Sequence, residues 1–502
     1  MKSSIPGAAI VEKGEAISEK DEIQVDSEMN ISIKALEQAL TREMELFAYP
    51  PKIWPRAEPT DANIPVFDVV IVGAGQAGIS LAFGLLRERI TNVLLVDRGS
   101  CGQEGPWMTW ARMPTLRTIK ELTGPDNGLP SASFRSWYEA RKGEQAWRDL
   151  VRIPKGEWMD YLLWLRGFLQ LPVENETNVT AVTMAGDRLR VTLQGPRGLR
   201  TVEARKVVVA TGIDGSGGPR IPDFAQGLPR TLCAHSSDPI DFTKLAGKRV
   251  AVLGAGASAF DNAATALEAG AREVTHYVRR PALPEVNALR FLEFTGFFRN
   301  FAALDDERKL RFMRRYLSLP TPPPADTLQR CRAHRNFVVK FAQGWTGMRA
   351  AGAALEITTP AGSFETDFAI LGTGFKIDIA SVPYLAALVP DMTFWKDRIA
   401  ASEDGMDRLI GTYPYLGPYM QVTGRTPQAD RALRNLHFLN ISGLASVGPI
   451  CSGINGLPWG AANVAAGISR DLFCMDADVF YEEFMGYEEA DANEVIAKVA
   501  TG

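Results

Sequence analysis

Two short glycine-rich turns carry the clearest chemistry in this chain. The first reads Gly73-Ala74-Gly75-Gln76-Ala77-Gly78, the second Gly254-Ala255-Gly256-Ala257-Ser258-Ala259. In a GxGxxG turn the first glycine permits a tight bend and the second lets backbone approach a pyrophosphate. The third brings helix against strand. The helix that follows presents free N–H groups and its positive dipole end to the phosphates. Gly73, Gly75 and Gly78 complete the pattern. The second turn keeps Gly254 and Gly256, with Ser258 and then Ala259 in the third place. Each copy has a strand before it, a helix after it and a polar residue about 20 positions on, which is the context the fingerprint demands. In the first copy that residue is Asp97, followed by Arg98. A carboxylate there accepts hydrogen bonds from a ribose 2′-hydroxyl. The second copy has Arg279-Arg280, and a guanidinium suits a ribose 2′-phosphate. The first unit therefore suits an adenosine without a 2′-phosphate, FAD or NAD, and the second NADPH; the reading is FAD in the first unit and NADPH in the second.

The elements that must position these turns repeat as well. Val66 to Val72 reads as a strand buried on both faces of a parallel sheet. Helix Ile79 to Arg89 and strand Val93 to Val96 follow it. Downstream, strand Lys248 to Leu253, helix Phe260 to Ala269 with its stop at Gly270, and strand Val274 to Val278 repeat the unit. Each copy ends in a hairpin and a small-Thr-Gly turn. Leu189 to Leu193 and Val202 to Val209 lead to Ala210-Thr211-Gly212. Leu355 to Thr359 and Phe364 to Leu371 lead to Gly372-Thr373-Gly374.

The expected fold is α/β: two Rossmann-like dinucleotide-binding domains, the NADPH domain inserted into the FAD domain, with β-hairpin excursions and a helical cap. The boundaries read as an N-terminal extension (1–65), the first part of the FAD domain (66–235) and the NADPH domain (236–380) with a helical insertion at about 285–345. A second part of the FAD domain (381–475) follows, because Phe438 to Ile441 and a glycine-rich loop look like the first domain resuming. Residues 476–502 read as a C-terminal tail. Within the extension, the acidic opening of residues 1–30 is expected to be mobile. Ile31 to Phe47 has helical spacing, and the prolines from Pro50 to Pro65 predict an extended strap.

At 502 residues the chain has room for about three domains. Its 46% apolar and 23% charged residues are ordinary for a globular protein. The net charge of −4 gives no global field toward nucleic acid or an anionic membrane. The five cysteines, at 101, 233, 331, 451 and 474, show no CxxC or CxxxxC spacing, which argues against a disulfide scaffold, a zinc site and a redox dithiol. No metal site is expected. The opening shows no secretory signal, and no run of about 20 apolar residues predicts a membrane span. The expected location is cytoplasmic, and a homo-oligomer is left open.

Other segments carry a resemblance. They are Gly105-Pro106-Trp107-Met108-Thr109-Trp110-Ala111-Arg112-Met113-Pro114, Ala210-Thr211-Gly212 with Pro219 and Pro222, His235-Ser236, and Leu371-Gly372-Thr373-Gly374-Phe375. With the two turns, and over about residues 66–475, the chain resembles the single-component flavin monooxygenases. That group includes flavin-containing monooxygenases, Baeyer–Villiger monooxygenases and microbial N-hydroxylases. The resemblance implies an NADPH- and O2-dependent enzyme acting through a C4a-(hydro)peroxyflavin on a nitrogen or sulfur of a small organic substrate.

The Baeyer–Villiger fingerprint Phe-x-Gly-x-x-x-His-x-x-x-Trp is not matched: His235 is preceded by Pro229 and Thr231, and Pro239 stands at the Trp position. Thr118-Ile119-Lys120-Glu121 looks like the Ser-Lys-Glu region of flavin-containing monooxygenases, without their asparagine. Oxygenation of a ketone and an NADPH oxidase without oxygen transfer stay as alternatives. A disulfide reductase would need the missing dithiol.

The resemblance also nominates site residues. Trp107 and Trp110 would wall the isoalloxazine or else pack a core. Arg112 would contact the flavin or nicotinamide, or make a structural ion pair. Asn455, in the loop Gly448 to Gly456 before a helix from about Trp459, would bond the reduced flavin, whose charge that helix end favours, or else the segment is a plain glycine-rich loop. Ala210, Thr211, Gly212, Thr373 and Gly374 would border the cofactors. His235 would position NADP+ or be satisfied by backbone. Arg299 to Lys340 reads as a helical cap with solvated charges, and Cys451 as a small buried hydrophobe.

Overall fold

The computed structural model describes residues 19–56, 64–400, 404–451 and 453–489, with side chains from 32 onward. Its first sheet gathers β1 (Val66–Val72), β2 (Val93–Val96), β3 (Val173–Glu174), β4 (Asn178–Ala185), β5 (Arg188–Gly195) and β6 (Gly198–Val209) in the order β3-β2-β1-β6-β5-β4. The long β6 serves two purposes. Its first half makes an antiparallel hairpin with β5, and its second half lies parallel to β1, with Val72 level with Val209. That register brings Gly73 and Ala210, the residues just beyond the two strand ends, to one rim.

The second sheet is all parallel: β7 (Cys233–His235), β8 (Arg249–Leu253), β9 (Glu273–Val278), β10 (Phe337–Phe341) and β14 (Phe368–Leu371), in the order β10-β9-β8-β14-β7. Leu253 is level with Leu371, so Gly254 and Gly372 meet at the rim as their counterparts do. A small antiparallel sheet joins β11 (Gly347–Ala351), β12 (Ala354–Thr359) and β13 (Gly362–Thr366). Far along the chain β15 (Leu436–Phe438) returns to the first sheet, parallel to β6. Strands β1, β2 and β14 and most of β8 are buried on both faces, as helices on either side of a parallel sheet require.

Several expectations need correction. The strand expected over Phe364 to Leu371 breaks at Asp367. Its first part stays in the small sheet, while its second joins the parallel one, and Asp367 receives the Arg249 backbone N–H and guanidinium, both at 2.7 Å. The insertion is not all helical. Helices Asp306–Ser318 and Ala325–Arg332 flank the proline run, but Phe337–Phe341 is a strand on β9. Its aromatic residues Phe297, Phe298 and Phe301, with Met313, are buried in the core of the first sheet, together with Trp395 and Ile450. The N-terminal helix begins at Glu19 rather than Ile31. Residues 1–18 of the acidic opening, and 57–63 of the proline strap, lie outside the described residues.

The expected tail also begins inside the fold. Helix Leu457–Met485 runs straight through position 475, and Asp476 is buried against Arg205 of β6, with contacts of 2.6 and 3.1 Å. Hydropathy alone shows a polar residue there; the partner sits 271 positions away.

Candidate functional site

A single continuous cavity of ≈ 1490 Å³ opens between the two glycine turns and is lined by both. Pockets for one small ligand hold about 300–1,000 Å³, so this one has room for more than one.

Helix Gln76–Arg87 starts at Gly75, and helix Ala257–Glu268 starts at Gly256. Neither has a side-chain cap, so the first-turn N–H groups of both remain to be satisfied by a ligand or solvent. A Cβ built on Gly256 meets nothing within 4 Å, and one on Gly75 meets only the Gly105 nitrogen at 3.9 Å. The backbone there faces open cavity, which suits two diphosphates. Gly73 and Gly254 do something different. Their φ values of +107° and +149° belong to glycine, and a Cβ on either would strike the carbonyl oxygen of Ala210 (2.6 Å) or Gly372 (2.4 Å). Gly78 does not line the cavity. Its added Cβ would lie 2.0 Å from the Gly73 oxygen, so its role is close helix packing.

At the first turn Asp97 holds its place with both oxygens, accepting from Ala74 N–H (2.9 Å) and Gly99 N–H (2.8 Å). Burial raises its carboxyl pKa, and those two donors pull it back. Arg98 reaches over to Asp214 at 2.6 Å. Arg279 and Arg280 end β9 at the other side, exposed and lining the cavity. Neither makes an ion pair among the described residues.

Between the turns, Trp107 is buried, and Trp110 leans on Phe375 with ring centres 5.4 Å apart. The same Phe375 meets the His235 ring edge-on at 5.6 Å. His235 is buried and satisfied by backbone. Its Nε2 donates to the Gly374 oxygen at 3.0 Å, leaving Nδ1 to accept from Ser237 N–H at 3.2 Å. Burial lowers its pKa to about 4, so the ring is neutral and steadies the Gly372-Thr373-Gly374 turn. Arg112 lines the cavity half-buried. It donates to the carbonyls of Thr109 (2.7 Å) and Asp238 (3.3 Å), and its Nε has no hydrogen-bond partner among the described residues. Lys155 bonds the Ala111 carbonyl at 2.6 Å, its pKa lowered by burial and then by Arg112.

The structure thus gathers Ala210, Thr211, Gly212, Ser258, Ala259, Thr373, Gly374, Asp97, Arg98, Trp107, Trp110, Arg112 and the arginine pair around one cavity. It does not bring Asn455 there. Gly456 folds tightly onto Ile450, and the Asn455 amide donates to Glu293 instead. Sequence reasoning missed Arg117, Asp261, Tyr384 and Trp345, which also line the cavity. Asp261 had a signal: an acid amid the alanines of a helix opened by a glycine turn.

Comparison with known proteins shows the family. Residues 70–288 match the family described as pyridine nucleotide-disulphide oxidoreductase. The chain is 40% identical over 468 residues to an FAD-dependent urate hydroxylase of Xanthomonas campestris pv. campestris, covering 92% of this chain and 97% of that protein. The chain belongs to the FAD-dependent monooxygenases. Among solved structures, ornithine hydroxylase from Pseudomonas aeruginosa shares the fold at a TM-score of 0.64 and 17% identity, over 81% of this chain and 100% of that one. L-lysine 6-monooxygenase from Pseudomonas syringae does so at 0.61 and 19%, over 80% and 99%.

Cys101, Cys233, Cys331 and Cys474 of this monooxygenase are free thiols. Burial pushes the Cys233 thiol up to about 11 and the Cys331 thiol to about 12, which leaves both unreactive. No helix among the described residues is long and apolar enough to cross a membrane.

Proposed function

We propose that this monooxygenase uses NADPH and O2 to hydroxylate a small, acidic, nitrogen-rich heterocycle of the urate class. FAD lies on the Gly73 turn and NADPH on the Gly254 turn. The observation that carries the reading is the pair of uncapped helix ends, at Gly75 and Gly256, opening on one cavity. The identity with a urate hydroxylase along nearly its whole length supports the substrate class.

When bound, the flavin supplies the redox chemistry with O2; the protein supplies orientation and a dry site. Asp97 offers acceptor oxygens to an adenosine ribose. Arg279 and Arg280, free of ion pairs among the described residues, offer donors to a 2′-phosphate. Trp107, Trp110 and Phe375 form the apolar wall that keeps water out between them. Arg112 and Lys155 give that region positive charge. Among the described residues Arg112 is not paired with a carboxylate, which suits a heterocycle that is an anion at neutral pH.

The test is made on purified holoprotein. It should be yellow, lose that colour when NADPH is added under argon, and consume NADPH and O2 faster with urate present. Hydrogen peroxide should stay well below the NADPH consumed. Ornithine, a thioether and a cyclic ketone serve as comparison substrates. Uncoupled peroxide formation with urate, and coupled turnover with one of the others, would replace this substrate class.

A further inference from the structure

The loop that carries Trp107, Trp110 and Arg112 runs on to Arg117, whose guanidinium crosses to the carboxylate of Asp261. Asp261 belongs to helix Ala257–Glu268, which begins at the second glycine turn, and its side chain is 2% exposed. Both residues line the cavity. The pair therefore joins the loop beside the first nucleotide turn to the helix of the second.

Each end is anchored. Arg152 donates to the Arg117 carbonyl at 2.7 Å. On the far side of Asp261, the Thr327 hydroxyl donates at 2.8 Å, and Arg330 stands 3.7 Å away while gripping Glu268 with two bonds of 2.8 Å. The neighbouring Asn262 donates to the Ser258 carbonyl at 2.8 Å, so the carboxylate and the glycine turn sit on one stiff helical segment.

Asp261 is buried on a helix whose Ala259, Phe260, Ala263 and Ala264 are buried too, and a buried carboxylate is costly until its partners offset it. Simple adhesion between two units would be served as well by apolar side chains. What a charged pair adds is one defined geometry. We propose that Arg117 and Asp261 are positioning residues that fix the register between the two dinucleotide half-sites, holding the nicotinamide of the second at reacting distance from the flavin of the first. The proposal rests on the FAD and NADPH reading above. A misplacement of about 1 Å between reacting groups can cost on the order of 10²-fold in rate.

The test compares Arg117→Met and Arg117→Lys holoprotein with the wild type. Three quantities are read without turnover: bound FAD, the dissociation constant for NADP+ by tryptophan fluorescence, and the long-wavelength charge-transfer absorbance when NADP+ is added to dithionite-reduced protein. The fourth is the limiting rate of bleaching by NADPH under argon.

The expected result for Arg117→Met is full FAD and nearly unchanged NADP+ affinity, with the charge-transfer band lost and bleaching slowed at least about tenfold. Arg117→Lys should recover most of both. A methionine variant that keeps the band and the rate overturns the proposal. So does one that loses FAD, NADP+ binding and thermal stability together without rescue by lysine, since that marks a purely structural contact. A wild-type protein that binds neither nucleotide would instead overturn the reading beneath it, and the proposal with it.

Discussion

A methyl group on Gly372 would stand 2.4 Å from the Cβ of Ala259. The first nucleotide unit builds this corner with the small residues exchanged: Gly78 takes the helix position of Ala259, and Ala210 takes the strand-end position of Gly372. Each corner has room for one Cβ, and either side can give it up. Gly372→Ala is therefore expected to destabilise the second unit by about 1–3 kcal/mol, the usual cost of overpacking. It should weaken NADP+ binding while FAD stays bound. Adding Ala259→Gly removes the nearest clash and should recover part of the loss, measurable as a double-mutant cycle in denaturant unfolding. Equal loss in both variants would mean that the clash lies elsewhere.

Gly256 makes the opposite prediction. Its φ of −89° is ordinary and its Cβ would enter open cavity. Gly256→Ala should therefore change stability by less than about 0.5 kcal/mol. It should nonetheless raise the NADP+ dissociation constant about tenfold or more, because the methyl occupies the ground a phosphate needs. Titration of the folded variant with NADP+ decides it. Gly254→Ala, at φ +149° and 2.4 Å from the Gly372 oxygen, should lose stability and binding together.

Arg279 and Arg280 predict selectivity. A charge-assisted hydrogen bond contributes about 1.5–3 kcal/mol. Replacing both arginines with glutamine should therefore cost NADPH on the order of 10–100-fold or more in affinity and leave NADH nearly untouched. The dependence of NADPH binding on salt should flatten as well. Equal losses for both cofactors would place the 2′-phosphate elsewhere.

The parts legible in the sequence were those written locally. Gly73 and Gly254 announce themselves because a strand-to-helix bend at positive φ accepts little else. Asp97 and Arg279 sit at strand ends that short apolar runs mark. β4 was missed because Asn178–Ala185 pairs only with β5 and alternates weakly in burial. β10 was hidden among arginines, since an edge strand half-exposed at Phe337–Phe341 carries little hydrophobic signal. Asn455 misled for the reverse reason: its loop had the right glycines, but its partner Glu293 comes from the insertion, at a distance of 162 residues that no local pattern reports.

Two buried histidines besides His235 predict acid sensitivity. Desolvation lowers His276 to about 4 and His437 to about 3, from an ordinary 6.5. Between those values and 6.5 the unfolded chain binds protons that the folded chain does not. Stability then rises with pH across this window and is lost as pH falls, by at most about 1.4 kcal/mol per pH unit for each histidine. His276 holds the Gly254 oxygen through Nε2 (2.8 Å) and His437 the Tyr419 oxygen through Nδ1 (3.0 Å). Gln at 276 and Asn at 437 can keep those donors without titrating. The double variant should show a shallower fall of melting temperature between pH 6.5 and 4.5 than the wild type.

The Arg205–Asp476 pair sets the last prediction. Arg205 is 2% exposed in its side chain and also lies 3.5 Å from Asp68 of β1, so it ties the final helix to two strands of the first sheet. Removing one member of a buried pair costs about 3–5 kcal/mol because the other charge is stranded. Asp68 softens that, so Asp476→Ala should cost about 3 kcal/mol, near the bottom of that range. It should loosen FAD retention, since β1 and β6 end at the Gly73 and Ala210 rim. Asp478→Ala, two residues on along the same helix, is the control and should move neither. Urea unfolding with FAD release as a second signal checks both. A chain cut after residue 475 that kept its flavin and its midpoint would show that the helix beyond that point is dispensable.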